Sequence, residues 1–483
     1  DYVEADPIYG IWMADLDALT QQPIVTPVQG EAYAEVVVME PRTLPIVVLG
    51  PVPGVDVDQL LVDASLGVLH VRSVYDLDGS DTVGISVLRD PAQSIADQRP
   101  ARFLRLVKAV SMPDEDVLDF DETAFGVSED QLMREILGYV PIEPDGSVMV
   151  EVPANVAFWI DVLDVNGRRI TDRHQNWLEL KPGQVLSCNG CHTRFSEAPH
   201  GRLDAQLVSA NPGAPVDGSP FPNTNSALFA NAGETMAQTY ARIRGTRTPS
   251  VDISFVDEWT DPAVRAIDPP INYLYTDLAS AAPVGPGCVG PWTSICRVVL
   301  NYETHIHPLW SVDRRQFAVD GSLIRDDTCT TCHNIADAAT NDQVPAMQLD
   351  LSDGPSDLEA DHFKSYQELL SIDTELELDL TGMLVERLVQ ATDGNGNLLF
   401  EVDANGNLIL DPLGNPIPVL VPVNVAPSLS PEGANSAVSQ RFFSRFDGGS
   451  HSGWLREAEL KLISEWVDLG AQYYNNPFDA PPP

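Results

Sequence analysis

Short apolar runs separated by turn-forming residues fill the first third of the chain. Clusters of Pro, Gly and Asp interrupt these runs, which is the pattern of β-strands rather than of helices. Asp145-Gly146 and Asn166-Gly167 are turn signals of the kind that joins antiparallel strands. The pattern therefore predicts one or two β-sandwich-like modules up to about residue 175. The predicted strands span residues 36–39, 46–49, 68–75, 103–110, 148–152 and 158–163.

The pattern changes twice further along the chain. Residues 198–286 are rich in Pro, Asn, Ser and Ala and predict an irregular linker with one helix near 234–244. From about residue 301 the apolar spacing becomes helical, with predicted helices at 361–370 and 455–469. We expect Ser452 to cap the last helix and Gly470 to end it.

Asn-Gly pairs between apolar residues predict a β-hairpin insertion at residues 391–423. They are Asn395-Gly396 and Asn405-Gly406, followed by Gly414-Asn415. The fold class is thus α+β: β-sandwich-like modules (1–175), a first cofactor-binding segment with irregular linker (176–300) and a mostly α-helical domain (301–483) that carries the insertion. We interpret the acidic residues at 76–81 and in the hairpins as turns rather than calcium sites.

Charge excludes one class of partner. Among 483 residues there are 28 basic and 71 acidic ones, a formal net charge of −43, so nucleic acid is not an expected partner. Solubility in a saline or exterior medium explains the acidity, and so does attraction of a basic redox partner. No apolar run reaches the roughly 18 residues of a membrane helix. The chain starts at Asp1 without a signal peptide, which fits a processed or trimmed chain.

Four of the six cysteines lie in two C-x-x-C-H units, CNGCH at 188–192 and CTTCH at 329–333. This spacing attaches a c-type haem through two thioether bonds, and the following His binds the iron. A redox C-x-x-C and half of a zinc site are the alternatives. Because His is rare here, two chance C-x-x-C-H units are improbable. The sequence therefore predicts two covalent haems c, attached at Cys188, Cys191, Cys329 and Cys332, with His192 and His333 as iron ligands.

Covalent haem attachment takes place outside the cytoplasm, so these motifs predict a periplasmic, cell-surface or extracellular protein. In that compartment disulfides persist. We expect one between Cys288 and Cys296, which flank a turn-rich stretch.

Several stretches resemble proteins related to the α subunit of hydrazine synthase. They are GVLHVRSVYDLDG, PARFLRLVKAVSMP, VEVPANVAFWIDVLDVNG, HQNWLELKPGQVLSCNGCH, NYETHIHPLW, CTTCH and HSGWLREAELKLISEWVDLGAQYYNNPF. The resemblance implies an exported, multihaem, electron-handling protein. The hydrazine-forming member has a tyrosine four residues after its motif His, where this chain has Ser196. We therefore do not expect hydrazine synthesis.

Seven other histidines could provide the second ligand of each iron. His451 lies on a loop before the C-terminal helix, where small c-type cytochromes carry this ligand, so we expect it at the second haem. For the first haem we expect His305 or His307, with His174 and His200 as substitutes. His70 and His362 are expected to be structural or exposed, and Met347 to pack in an apolar environment.

These features predict an extracytoplasmic di-haem c-type cytochrome that carries electrons. Its partners would be redox proteins or copies of itself, in a homo-oligomer or an extracellular filament. The alternative is a di-haem peroxidase or another haem oxidoreductase, which needs one haem with an open coordination position.

Overall fold

The computed structural model of the chain describes residues 9–29, 31, 33, 36–39, 50–174, 176–193 and 208–483. The chain divides into two compact units, Asp1–Val52 and Pro53–Pro483. In the first unit, strands β1 (Ile11–Asp15) and β2 (Thr20–Val25) form an antiparallel hairpin. Residues 36–39 are exposed and form no strand, contrary to the prediction, whereas predicted strand 46–49 lies outside the described residues.

The second unit contains many short strands and a few helices. The strands are β3 Leu66–Val71, β4 Asp76–Leu77, β5 Ser80–Asp81, β6 Phe103–Ala109, β7 Arg134–Pro141, β8 Val148–Pro153, β9 Phe158–Leu163, β10 Val185–Cys188, β11 Ile253–Phe255, β12 Ile271–Tyr273, β13 Arg315–Phe317, β14 Leu323–Asp326, β15 Asp373–Thr374, β16 Leu376–Leu378, β17 Leu384–Glu386, β18 Leu388–Gln390, β19 Leu420–Pro422 and β20 Asn424–Val425. The helices are α1 Gln59–Asp63, α2 Ile85–Leu88, α3 Met236–Arg244, α4 Pro308–Ser311, α5 Cys329–Cys332, α6 Lys364–Leu370, α7 Ala437–Phe443 and α8 Glu457–Asp468.

Two three-stranded sheets form the β-rich region that the sequence predicts. One has the order β10-β3-β8 and the other the order β7-β6-β9. Leu104 and Leu106 of β6 join Val148 and Val150 of β8 in one apolar core. Because successive side chains of a strand point to opposite faces, Phe103 and the other alternate residues of the second sheet lie in a second core.

The second core joins this sheet to the C-terminal part of the chain. Helix α8 contributes Ile463, Trp466 and Val467, all fully buried, as the predicted apolar face requires. A buried ion pair reinforces the contact, because Arg105 of β6 binds both Asp161 of β9 and Asp468 at the end of α8. The second sheet is therefore covered on both faces.

The segment 301–483 is not the mostly helical domain that we expected. Among its described residues, α8 is the longest helix, with 12 residues, and the others have four or seven. Loops and two-stranded sheets separate them, since the segment is rich in Gly, Pro and Asp. Helix α8 begins at Glu457, not near Ser452, and the N–H of Arg456 donates to the carboxylate of Glu459 at the first turn.

The predicted hairpin insertion is confirmed and belongs to a longer β-ribbon of residues 373–425. Its turns are closed by their own side chains: Asp393 accepts the N–H groups of Asn395 and Asn397. Asp403 and Asp411 close the next two turns in the same way. These carboxylates therefore serve as turn-formers.

The predicted division at residues 175/176 and 300/301 stays a prediction. Strand β10 of the middle segment pairs with β3 of the first, and α8 of the last packs on the second sheet. All three segments thus contribute to shared structure. No helix within the described residues combines the length and the apolar character needed to cross a membrane.

Candidate haem-binding sites

The first C-x-x-C-H unit begins at the end of a buried strand. Strand β10 runs parallel to β3 and ends at Cys188, which is buried. Beyond it, the N–H of Cys191 donates to the carbonyl of Asp76 at 2.8 Å, and the N–H of Asp78 donates to the carbonyl of Cys191. The β4–β5 hairpin therefore holds the motif from one side.

The carboxylates of this hairpin are used for the same purpose. Asp78 accepts the N–H of Thr193 at 3.0 Å, and Asp76 accepts the N–H groups of Gly79 and Ala210. Asp81 accepts three successive N–H groups at the start of α2. The acidic loop at 76–81 is thus a turn that shapes the motif, in line with the sequence interpretation.

The ring of His192 lies next to that of His174. Their ring centroids are 6.4 Å apart and their planes are nearly perpendicular, at 87°. Nδ1 of His192 donates to the carbonyl of Thr193, and Nδ1 of His174 donates to the carbonyl of Asn176. Because a carbonyl oxygen only accepts, each ring carries a proton on Nδ1, and Nε2 is the nitrogen through which His192 would bind a metal.

Packing of Trp177 holds His174 near the motif. Trp177 stacks on Trp159 of β9 with ring centroids 4.5 Å apart and an interplanar angle of 22°. The stack fixes the segment between β9 and β10 against the second sheet. His174 lies in this segment, three residues before Trp177.

The second C-x-x-C-H unit forms one helical turn. Helix α5 contains Cys329 and Cys332, and the N–H of His333 donates to the carbonyl of Cys329 at 2.9 Å. Cys329 is buried and Cys332 is exposed. Nδ1 of the buried His333 donates to the carbonyl of Leu349, which again leaves Nε2 as the metal-binding nitrogen.

The ring of His451 lies beside that of His333, with 6.2 Å between the ring centroids and an interplanar angle of 37°. Nδ1 of His451 is 2.8 Å from the hydroxyl of Ser450. Phe446 and Trp454 flank the ring at centroid distances of 5.7 and 4.4 Å. Burial lowers the pKa of both His333 and His451, which favours the neutral, metal-binding form of each ring.

Both histidine–histidine ring pairs within the described part of the chain contain a motif His. Two imidazoles that bind one metal ion from opposite sides have ring centres about 6 Å apart, from two metal–nitrogen bonds of about 2.0 Å and about 1 Å within each ring. Both pairs have this separation, so the residues present fit a haem iron at each site.

One cysteine of each motif lacks the lowered pKa of a reactive thiol. Burial raises the pKa of Cys191 to about 11, with a further contribution from Asp76. Burial also raises the pKa of Cys329 to about 11. Reactive cysteines have lowered pKa values instead.

Among the described residues, no group of three or more His, Cys, Asp or Glu side chains is arranged to hold a metal ion.

At the first site the ring beside His192 is that of His174, one of the two substitutes that we named, and the assignment of His305 or His307 stays a prediction. Residues Tyr302–Ile306, just before Pro308, form a π-helical turn. Nδ1 of His305 lies within 3.2 Å of backbone atoms of Asn301.

The other histidines and Met347 have separate environments. Nδ1 of His307 is 2.9 Å from the Ser365 hydroxyl, and its ring packs on Phe363. His362 stacks on Tyr473, and His70 lies between two hydroxyls, in agreement with structural roles.

Met347 is 73% exposed, so the expected apolar packing is wrong. His200 and Ser196 lie outside the described residues. The signal that favours His174 in the sequence is its nearness to the first motif.

The disulfide prediction is confirmed, because Cys288 and Cys296 are bonded to each other.

Each of the two C-x-x-C-H units thus has a second histidine ring beside its motif histidine. Residues 102–193, which include the second sheet and the first unit, match the family model described as hydrazine synthase alpha subunit middle domain. This match supports a relation between the chain and that family. No curated protein shows a significant match to the chain.

Among solved structures, Kuenenia stuttgartiensis hydrazine synthase is similar at 16% identity with a TM-score of 0.38. The alignment covers 87% of this chain and 44% of that one, so this chain spans less than half of that length.

Proposed function

We propose that the chain is an extracytoplasmic di-haem c-type cytochrome that carries electrons. Cys188 and Cys191 would attach the first haem, and Cys329 and Cys332 the second. The observation that carries the proposal is the pairing of each motif histidine with a second histidine at 6.4 and 6.2 Å. We assign His174 as the second ligand at the first site and His451 at the second.

Bound haem supplies a reversible one-electron change at its iron. The four histidines would hold the two irons in pairs, His192 with His174 and His333 with His451. Histidine pairs also favour a lower reduction potential than a His/Met pair, because Met raises the potential.

Two filled axial positions favour an electron carrier over a di-haem peroxidase. Such an enzyme needs one iron with an open position and an acid–base group next to it. If His174 binds the first iron together with His192, and His451 binds the second together with His333, neither site keeps an open position. The relation to the hydrazine synthase family supports a haem-bearing role without assigning its activity to this chain.

Two observations support the location and the partner class. The Cys288–Cys296 disulfide is of a kind that persists outside the cytoplasm. The net charge of −43 would attract a basic redox partner. Copies of the chain itself, in an oligomer or a filament, are the other proposed partner. Images of an assembly in which the haems of successive molecules lie too far apart for electron transfer would contradict the filament.

Spin state tests the proposal. We expect intact-mass analysis to show two haems per chain and absorption and electron paramagnetic resonance spectra to show two low-spin irons. His451→Ala and His174→Ala should each leave both haems attached and make one iron high-spin. His305→Ala is the matched control and should leave both low-spin. Fewer than two haems, or a high-spin iron in the unaltered protein, would contradict the proposal.

A further inference from the structure

An arginine-rich segment connects the two candidate haem sites. Residues 168–174 follow β9 and a turn in which Asp164 accepts the N–H groups of Asn166 and Arg168. The segment reads Arg-Arg-Ile-Thr-Asp-Arg-His and ends at His174. Three arginines within seven residues are notable in a chain with 28 basic and 71 acidic residues.

The first arginine holds the loop that carries His451. Nη1 and Nη2 of Arg168 bind the two carboxylate oxygens of Asp447 at 2.5 and 2.8 Å, and its guanidinium lies 4.2 Å from the ring centre of Phe443. Planar two-bond pairing of this kind fixes orientation as well as distance. Arg168 is buried, so solvent screens the pair less than an exposed one.

Asp447 lies within the loop that determines where His451 points. The neighbouring Phe446 contacts the ring of His451, and the N–H of His451 donates to the carbonyl of Arg445 at 2.8 Å. The loop also contains Gly449, where an added Cβ would lie 2.4 Å from the carbonyl of Ser444. The loop is therefore tightly folded on itself, and Arg168 anchors it to the rest of the protein through Asp447.

The other two arginines anchor the end that carries His174. Arg173 donates from Nη2 to the carbonyls of Pro431 and Asp468, at 2.8 and 3.1 Å. Arg169 donates from Nη2 to the carbonyl of Glu432, and its N–H donates to the carboxylate of Asp468 at 3.1 Å. All these acceptors lie in the C-terminal part of the chain, between residues 431 and 468.

We propose that the segment 168–174 positions the distal histidines of both haem sites, with Arg168 acting on His451 through Asp447 and Arg173 acting on His174. The inference rests on the proposed function, which makes these histidines iron ligands. Arg168 and Arg173 are positioning residues: Arg168 acts through the side chain of Asp447, and Arg173 fixes the backbone next to His174 by donating to two carbonyls. Six residues of chain reach at most about 20 Å, so one short segment holds both ligands against the same C-terminal surface.

Two matched variants five positions apart test this inference on the haem-loaded full-length protein. Arg168→Gln should give a partly high-spin iron and a shifted reduction potential at the second site and leave the first site unchanged. Arg173→Gln should do the reverse. His451→Ala and His174→Ala identify which spectrum and potential belong to which site. Arg315→Gln, which removes an exposed ion pair with Asp313, is the control and should change neither site.

Milder variants keep the test decisive if a glutamine variant does not fold. Asp447→Asn removes the ion pair between Arg168 and Asp447 by changing its more exposed partner, and it should reproduce the effect of Arg168→Gln. Arg173→Lys keeps the charge and one donor, and it should restore most of the low-spin signal at the first site.

The outcomes separate this inference from the proposed function. If His451→Ala leaves the second site low-spin, the ligand assignment itself is wrong. If His451→Ala gives a high-spin iron but Arg168→Gln and Asp447→Asn leave spectra and potentials unchanged, the proposed function stands and the positioning role fails. Equal effects of Arg168→Gln and Arg173→Gln on both sites would also overturn the site-specific assignment.

Discussion

We expect that Gly190, the third residue of the first C-x-x-C-H unit, cannot be replaced even by alanine without a loss of stability. A Cβ on Gly190 would lie 2.6 Å from both the Cβ and the carbonyl oxygen of Asp76. Ordinary contact begins near 3.4 Å, so Asp76 would have to retreat by almost 1 Å. It is held in place, because its carbonyl accepts the N–H of Cys191 and its carboxylate accepts that of Ala210.

Overpacking of a rigid site costs about 1–3 kcal/mol. We therefore expect Gly190→Ala to lower the free energy of unfolding by this amount, measured by denaturant titration. The substitution should also reduce haem attachment at the first site and not at the second, which digestion and mass analysis of the haem peptides would show. The backbone is not the cause, since the structure gives no positive φ at Gly190.

Gly354→Ala is the matched control, because nothing lies within 4 Å of the added Cβ and no positive φ is involved. It should be neutral or stabilise by up to about 1 kcal/mol through the unfolded chain. In the second motif the corresponding residue is Thr331, which shows that the motif itself does not demand glycine. If Gly190→Ala unfolds at the same denaturant concentration as the unaltered protein and carries both haems, the steric argument is wrong.

Three further predictions concern single interactions. Replacing Cys288 and Cys296 by Ala should lower the free energy of unfolding by about 2–3 kcal/mol, because the disulfide closes a loop with a sequence separation of 8; an unchanged denaturation midpoint would contradict this. Burial lowers the pKa of His70 from 6.5 to about 4, so its contribution to stability is complete above pH 6.5 and is lost as the pH falls toward 4. His70→Asn should remove up to about 3 kcal/mol from the stability difference between pH 7 and pH 4, and an identical pH dependence in both proteins would refute the assignment. His307→Ala should lower stability through its lost contacts with Ser365 and Phe363 without changing either haem spectrum, and a new high-spin signal would place it at an iron instead.

Local signals predicted much of the β-rich region and the ribbon. The predicted strand 158–163 coincides with β9, and the predicted strand 103–110 exceeds β6 by one residue, because alternation and flanking turns are local features. Asn-Gly pairs likewise identified the ribbon turns, since each turn is closed by an Asp only two to four residues away.

The pairing at the first site could not be read from local patterns. His174 lies near the first motif in the sequence, but this nearness alone did not favour it over His305. The approach of its ring to that of His192 depends on tertiary packing. The stack of Trp177 on Trp159, which holds His174, joins residues on different elements. The ion pair between Arg168 and Asp447 spans 279 positions of the sequence, so no local sequence pattern predicts it.

The helical character of the C-terminal segment was overestimated for a related reason. Residues near 361–370 have a helical spacing, but α6 begins only at Lys364 because His362 stacks on Tyr473 and Phe363 packs against His307. Tertiary contacts therefore decided where the helix starts.

The self-closed turns of the ribbon have a consequence for how this protein can change its length over evolution. Asp393, Asp403 and Asp411 each close their turn with groups two and four residues ahead, so no turn depends on another. Asp393 and Asp411 are 411 − 393 = 18 positions apart, which is an even number. Because side chains of a strand alternate between its two faces, deleting an even number of residues keeps every later side chain on its original face. Insertions and deletions that join one such turn to another can therefore lengthen or shorten the ribbon without moving its later side chains to the opposite face.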